Sequence, residues 1–199
     1  MAAVEQIPET GSVAVTELAS STKSPTEDPG ANPVSPPSCQ HLFASFSHTS
    51  PLRFFLDLCS GSTKPPSTAL AEADRVACPN DILLFAEHDL IDDVFFEQLL
   101  RICGSGQVAY AAASPPCTEF SRLKSLPGGP SPVRTSEHPH GVPQLSASEN
   151  ARWQSSQTLL ERCVQCLETT CASGGHGHFE HPLNSLAWQD PSLIHWMQF

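Results

Sequence analysis

"LRFFLDLCSGSTKPPSTALAEAD", Leu52 to Asp74, is the stretch whose reading decides the fold. From Leu52 to Leu58 it is a nearly continuous apolar run ending in Asp57-Leu58-Cys59, the pattern of a strand buried in a parallel sheet. Ser60-Gly61-Ser62 then supplies a tight turn, and Ser67 to Asp74 suits a short helix. Strand, turn and helix alternate again downstream. A short strand near Arg75 to Ala77 leads to "NDILLF", and "DDVFFEQLLRI" sets Val94, Phe95, Leu99 and Ile102 at helical spacing behind Asp92 as N-cap. "GQVAYAAAS" is the next strand, and its small alanines permit close packing. A Pro/Gly-rich loop follows from Leu126 to Pro143. Helical spacing returns from Ser148 to about Cys171, with Trp153, Leu160, Val164, Leu167 and Cys171 on one side. Gly174-Gly175 ends that helix, and "HGHFEHP" reads as a further strand meeting a proline. This order predicts an α/β fold, a doubly wound and mostly parallel sheet, with ligands at the carboxyl ends of its strands.

The chain ahead of that stretch has a different character. Seven of the 19 prolines fall in the first 51 residues, among Ser, Thr, Asn and Gly. Too few large apolar residues are present there to offset the entropy of ordering, which predicts a disordered tail over 1–50 and one folded domain over 51–199. No run approaches the ~18 apolar residues of a membrane span. The start "MAAVEQIPET" lacks the basic and apolar regions of a secretory signal. The eight cysteines therefore read as reduced thiols in a nuclear or cytosolic protein. A net charge of −11 argues against general binding to a polyanion. The acid is concentrated in the first half, however: residues 1–100 hold 4 basic and 14 acidic side chains, residues 101–199 hold 6 and 7.

Three of the expected strand ends carry candidate chemistry: Asp57-Leu58-Cys59-Ser60-Gly61, Ser114-Pro115-Pro116-Cys117, and Phe179-Glu180-His181-Pro182. Their order and spacing resemble the DNA cytosine-5 methyltransferase family. The first is similar to the family's Asp-Leu-Phe-Ser/Ala-Gly cofactor turn, the second to its Pro-Pro-Cys nucleophile motif, continued by Phe120-Ser121, and the third to its Glu-Asn-Pro/Val motif. The resemblance covers about Leu52 to Trp188 and implies the Rossmann-like fold of S-adenosylmethionine-dependent methyltransferases. It assigns the covalent attack on C6 of cytosine to Cys117, on a backbone stiffened by two prolines. Glu180 would hold N3 and the exocyclic amine of a base extruded from DNA, with RNA left open as the substrate. S-adenosylmethionine would lie against Ser60-Gly61 and Asp57, with Asp81 on the ribose hydroxyls and Asp89 on the adenine amine. Glu87 or Asp92 could replace either acid. Ser121, Arg122 and Lys124 follow the cysteine as substrate contacts, and Arg134 extends that basic group.

Departures from the family pattern are equally legible. Cys59 stands where the family has phenylalanine, and Thr118-Glu119 brings a negative charge close to where phosphates would lie. Seventeen residues follow Pro182 (183 to 199), without the family's later Arg motif or its target-recognition domain. The expectation is a partial catalytic domain with weak or lost activity of its own, or a non-catalytic interaction module that keeps the fold. A third reading is zinc. Cys163, Cys166, Cys171 and His176 have nearly the spacing of a zinc knuckle, with His178 nearby, but the first three fall on a helical stretch rather than on turns. No metal site is expected.

Overall fold

The computed structural model describes residues 53–63, 67 and 76–198. The expected tail over 1–50, and all of the first helix except Ser67, lie outside the described residues. Four strands, β1 (Phe54–Leu58), β2 (Ala77–Asn80), β3 (Val108–Ala113) and β4 (His176–Phe179), form one sheet in the order β2-β1-β3-β4. Every pairing is parallel. The helices are α1 (Asp93–Cys103), α2 (Ala147–Ala172) and α3 (Pro191–Trp196), with 3-10 turns at Thr118–Phe120, Arg122–Ser125 and Leu186–Gln189. The architecture is α/β with a parallel sheet. No helix among the described residues is long and apolar enough to cross a membrane.

Register decides which side chains make the core. Leu56 pairs with Cys78 and Ala111, Leu58 with Asn80 and Ala113, and Ala113 with Phe179. Side chains two apart share a face. One face therefore carries Leu56, Leu58, Cys78, Ala111, Ala113 and Phe179, all in a buried cluster with Leu99 of α1 and Leu160 and Leu167 of α2. Gly177 lies on this same face, where a Cβ would stand 2.9 Å from the Trp196 ring and 3.2 Å from the Cys171 sulfur. Only glycine lets α2 and α3 come that close. On the opposite face Tyr110 is exposed, while Asp57 is buried beneath Ser67, which is helical.

The second strand differs from its expected place. It runs Ala77–Asn80 rather than near Arg75 to Ala77, and "NDILLF" turns instead of extending. The cause is Asp81, whose Oδ1 accepts the Leu83 N–H at 2.7 Å and bends the chain. Pro79 is tolerated because β2 has one neighbour only among the described strands.

Helix α1 is capped as expected, Asp92 accepting the Phe95 N–H at 2.8 Å. Its buried face is Phe95, Phe96, Leu99 and Cys103, and Val94 is exposed. The face is rotated because α1 packs on α2, from which the Arg162 guanidinium lies 4.6 Å from the Phe96 ring centroid and pairs with Asp93. Helix α2 begins at Ala147 behind Ser146, which forms a reciprocal capping box with Glu149. Cys171 is exposed and so leaves the apolar side it was expected to join. Cys59, Cys103, Cys117, Cys163, Cys166 and Cys171 are free thiols. Cys78 is disulfide-bonded, which corrects the expectation of reduced thiols throughout.

Candidate functional site

The chain leaves β1 toward β2 on one side and returns to β3 on the other, so strand order reverses between β1 and β3. Such a switch point opens a crevice at the carboxyl ends of the strands. Backbone hydrogen bonds tie those ends together. Cys59 donates its N–H to the Asn80 carbonyl at 2.8 Å, Ser114 to that of Leu58 at 3.1 Å, and Glu180 to that of Ala113 at 2.9 Å. The three motifs thus emerge from neighbouring strand ends.

The turn after β1 is held in left-handed backbone, with φ of 55° at Cys59 and 68° at Gly61. Glycine takes that conformation freely and cysteine does not. Asp81 locks the turn from β2: its Oδ2 accepts the Gly61 N–H at 3.0 Å while Oδ1 holds Leu83. Asp89 accepts the Ile91 N–H at 2.8 Å in the same manner. Between these pieces lies a cleft of about 340 Å³, lined by Cys59, Asn80, Asp81, His88, Asp89 and Pro116 among others. Two expected cofactor residues sit differently. The Asp57 carboxylate is buried and accepts the Ser67 hydroxyl at 2.9 Å, burial raising its pKa against that hydrogen bond. Ser60 is buried, its hydroxyl 3.5 Å from the Gly61 carbonyl. Asp57 and Ser60 shape the turn from behind, whereas Asp81 and Asp89 reach the cleft.

A second cleft, of about 450 Å³, is lined by Cys117, Ser121, Arg122, Leu123, Pro182 and Asn184 among others. Cys117 is half-buried at its wall. The turn Thr118–Phe120 follows at once, its Phe120 N–H bonding back to the Cys117 carbonyl at 3.0 Å, and the buried Phe120 ring anchors the ledge. Over that ring, 4.1 Å from its centroid, lies the Arg134 guanidinium, which donates to Ser156 and Gln157 at 2.9 Å each. Burial lowers the Arg134 pKa to about 10, against the pull of Asp190 and Glu119. Arg134 is therefore an internal strut and not a phosphate contact.

Lys124 is also engaged, pairing with Glu119 at 2.6 Å, and Arg152 meets the same carboxylate at 3.3 Å. The Glu119 charge is thereby neutralised within the fold instead of facing outward. Of the basic residues after Cys117, Arg122 is exposed and lines the cleft. Ser121 lines it too while capping the next turn through the Leu123 N–H at 3.3 Å.

The Glu180 backbone is pinned beside β3, but its side chain is exposed and does not line the Cys117 cleft. Its neighbour His181 is buried among Phe120, Phe179 and Trp188, and desolvation lowers its pKa to about 4. The cysteines considered for zinc do not converge. Cys163 and Cys166 face the core, where contact with the Cys59 sulfur at 4.0 Å and burial push the Cys163 thiol up, while Cys171 and His176 are exposed. No group of three metal-ligating side chains exists among the described residues.

Sequence reasoning missed Asn80, His88 and Pro116. Asn80 and His88 are buried polar residues whose positions depend on register and on a turn, so no local pattern marks them. Pro116 was read only as a stiffener of the thiol, yet it also walls the first cleft. Comparison with family models, curated proteins and solved structures yields no match.

Proposed function

We propose that the chain is a methyltransferase-type domain, of the doubly wound S-adenosylmethionine-dependent class, that acts on C5 of cytosine in DNA through a covalent Cys117 adduct. One observation carries the reading. Pro116 and Cys117 are adjacent in the chain, yet Pro116 lines the cleft at the β1–β2 ends and Cys117 lines the next one. Two clefts that share this ledge bring their occupants to one strand end, and transfer needs the two to meet past it with reacting atoms about 3–3.5 Å apart.

The residues of the first cleft fit the cofactor. Gly61, which does not line the cleft but is hydrogen-bonded to Asp81 of its wall, has φ of +68° and no atom of the described residues within 4 Å of where a Cβ would stand. Asn80 and His88 carry buried polar atoms without partners among the described residues, and Asp81 and Asp89 supply carboxylates for hydroxyl or amine donors. S-adenosylmethionine, when bound, supplies an electrophilic methyl group.

The chain's own residues supply the rest. Cytosine C5 is a poor nucleophile until a thiolate adds to C6. The Cys117 sulfur forms the C–S bond with its electron pair, and the C5–C6 π pair moves to C5. Glu180, exposed outside the cleft, would have to turn its side chain into it to hold a proton at N3 against the charge that develops toward N3 and O2. After C5 has gained its methyl, loss of the C5 proton to a base restores the double bond and expels the thiolate. The base enters the Cys117 cleft only when extruded from its stack. The exposed Leu123 and Leu183 flank that cleft and are of the residue type that wedges between base steps, and Arg122 offers a phosphate contact.

A second reading, a non-catalytic module with the same fold, is favoured by the exposed position of Glu180 outside the Cys117 cleft. One experiment separates the two. Single-stranded DNA containing 5-fluorocytosine, incubated with the chain and cofactor, should give a low yield of adduct that survives denaturation, since fluorine cannot leave as a cation. The adduct should vanish in Cys117→Ser and fall strongly in Glu180→Gln. No adduct from a folded, cofactor-bound chain would leave the module reading standing, and adduct on the matching RNA alone would move the substrate to RNA.

A further inference from the structure

Two thiols from distant parts of the chain meet at the wall of the first cleft. Cys59, in the turn after β1, and Cys163, on α2, stand 104 positions apart in sequence and bring their sulfurs to 4.0 Å. Their surroundings differ. Cys59 is half-buried and lines the 340 Å³ cleft, whereas Cys163 is 0 % exposed and belongs to the core. The other close thiol pair, Cys103 and Cys166, is hydrogen-bonded with both members buried. The Cys59–Cys163 pair thus has one sulfur open to small solutes and one that meets its partner from the inside.

That asymmetry separates the roles of the two sulfurs. A small oxidant entering the cleft reaches Cys59 and is kept from Cys163 by the core. Contact with Cys59 and burial push the Cys163 thiol up, which keeps it a neutral S–H until its neighbour changes. The position of Cys59 is fixed by the backbone, through a φ of 55° and an N–H held by the Asn80 carbonyl at 2.8 Å. Packing accounts for Cys163 as a small buried side chain. It does not account for a second thiol in sulfur contact with it at the wall of a cleft.

We propose that Cys59 and Cys163 form a reversible disulfide when the chain meets a hydroperoxide, locking the turn after β1 to α2. The Cys59 sulfur, as thiolate, attacks one peroxide oxygen. The S–O bond forms, the O–O bond breaks, and the departing hydroxide takes up a proton as water. The Cys163 sulfur then attacks that of Cys59, so the S–S bond forms, the S–O bond breaks, and hydroxide leaves with the Cys163 proton as a second water. Two thiols are oxidised to one disulfide while the peroxide is reduced to water, and a dithiol reverses the bond by exchange. Bonding closes the sulfurs from 4.0 Å to about 2.05 Å, which draws Cys59 from the cleft toward the core. The same turn carries Gly61, whose N–H is held by Asp81, so the lock stiffens that wall. It stands or falls independently of methyl transfer.

Dilute full chain treated with stoichiometric hydrogen peroxide, then alkylated in denaturant and mapped by peptide mass, tests this. A crosslinked peptide joining Cys59 to Cys163 should appear. Alkylation of both should fall about tenfold or more, while Cys103 and Cys166 remain alkylated. Amide exchange at Gly61 and Leu83 should slow severalfold in the oxidised chain. Cys163→Ala removes the resolving thiol, so dimedone should trap Cys59 as its sulfenic acid, which it should not do in the wild type. Cys59→Ser leaves the core intact and decides the matter if Cys163→Ala does not fold: there Cys163 should survive peroxide as a thiol. Both thiols unchanged in the wild type, Cys59 passing to sulfinic acid without a crosslink, or Cys59 joined to another cysteine would each overturn the proposal. So would oxidation of Cys163 in Cys59→Ser, and a crosslink with unchanged amide exchange would overturn the lock.

Discussion

His181 shows how one buried side chain sets a property of the whole protein. Its imidazole stacks 5.8 Å from the Phe179 ring, with Phe120 and Trp188 edge-on, and neither nitrogen has a partner among the described residues. Desolvation brings its pKa from 6.5 to about 4. Below pH 6.5 the unfolded chain takes up a proton that the folded chain refuses. Stability is therefore complete above 6.5 and falls as pH drops toward 4, by up to roughly 3 kcal/mol. His88, lowered in the same direction, adds to the loss. His181→Phe keeps an aromatic ring in the cluster and removes the titration, so urea unfolding between pH 7 and 4.5 should show a shallower decline than in the wild type. Parallel declines would mean that His181 does not carry the effect. Gly61 sets a local limit of another kind. An added methyl meets no atom of the protein within 4 Å, but φ is +68°. Gly61→Ala should then cost about 1 kcal/mol through backbone strain alone.

At the scale of elements, the loop from Leu126 to Pro143 is organised from within by one arginine. Arg134 is 1 % exposed, lies over Phe120 and donates to Ser156 and Gln157 of α2, so it pins the loop and the Cys117 ledge to the same helix. Arg134→Ala removes that stack and leaves a void under the loop, which should cost roughly 2–4 kcal/mol. Amide exchange should rise over Val133 and Phe120 together. A rise confined to the loop would show that the ledge does not depend on the strut. None of this was legible in the sequence, where an arginine amid Pro and Gly reads as solvated. Its burial depends on Phe120, Trp153 and α2 meeting in space. What was legible rests on local pattern: the apolar runs of β1 and β3, the cap at Asp92, and the glycines that end α2. The shifted β2 and the rotated face of α1 followed instead from an aspartate turn and from packing against α2, which no window of sequence contains. The candidate site divides along the same line. Motif positions at strand ends came from order and spacing, while the partition into two clefts depends on sheet register.

For the whole molecule, the two clefts make the thiols report on binding at each site separately. Cys59 lines the cleft at the β1–β2 ends, Cys117 lines the next, and Cys171 is exposed far along α2. Cys103, Cys163 and Cys166 are buried, so alkylation of the native chain should label Cys171, Cys117 and Cys59 and leave those three until unfolding. Ligands should then protect one at a time. S-adenosylhomocysteine occupying the first cleft should slow labelling of Cys59 severalfold and leave Cys171 unchanged. Cytosine-containing single-stranded DNA should slow Cys117, weakly and with strong salt dependence, because the net charge of −11 opposes approach and Arg122 is the exposed cation at that cleft. The outcome that matters is the pairing of ligand with thiol. If one ligand protected Cys59 and Cys117 equally, with Cys171 unaffected, Pro116 would not divide two sites, and transfer across the ledge would lose its physical basis. Protection of Cys59 by the nucleoside thioether and of Cys117 by the nucleic acid, each without the other, is the pattern that two substrates meeting at one wall require.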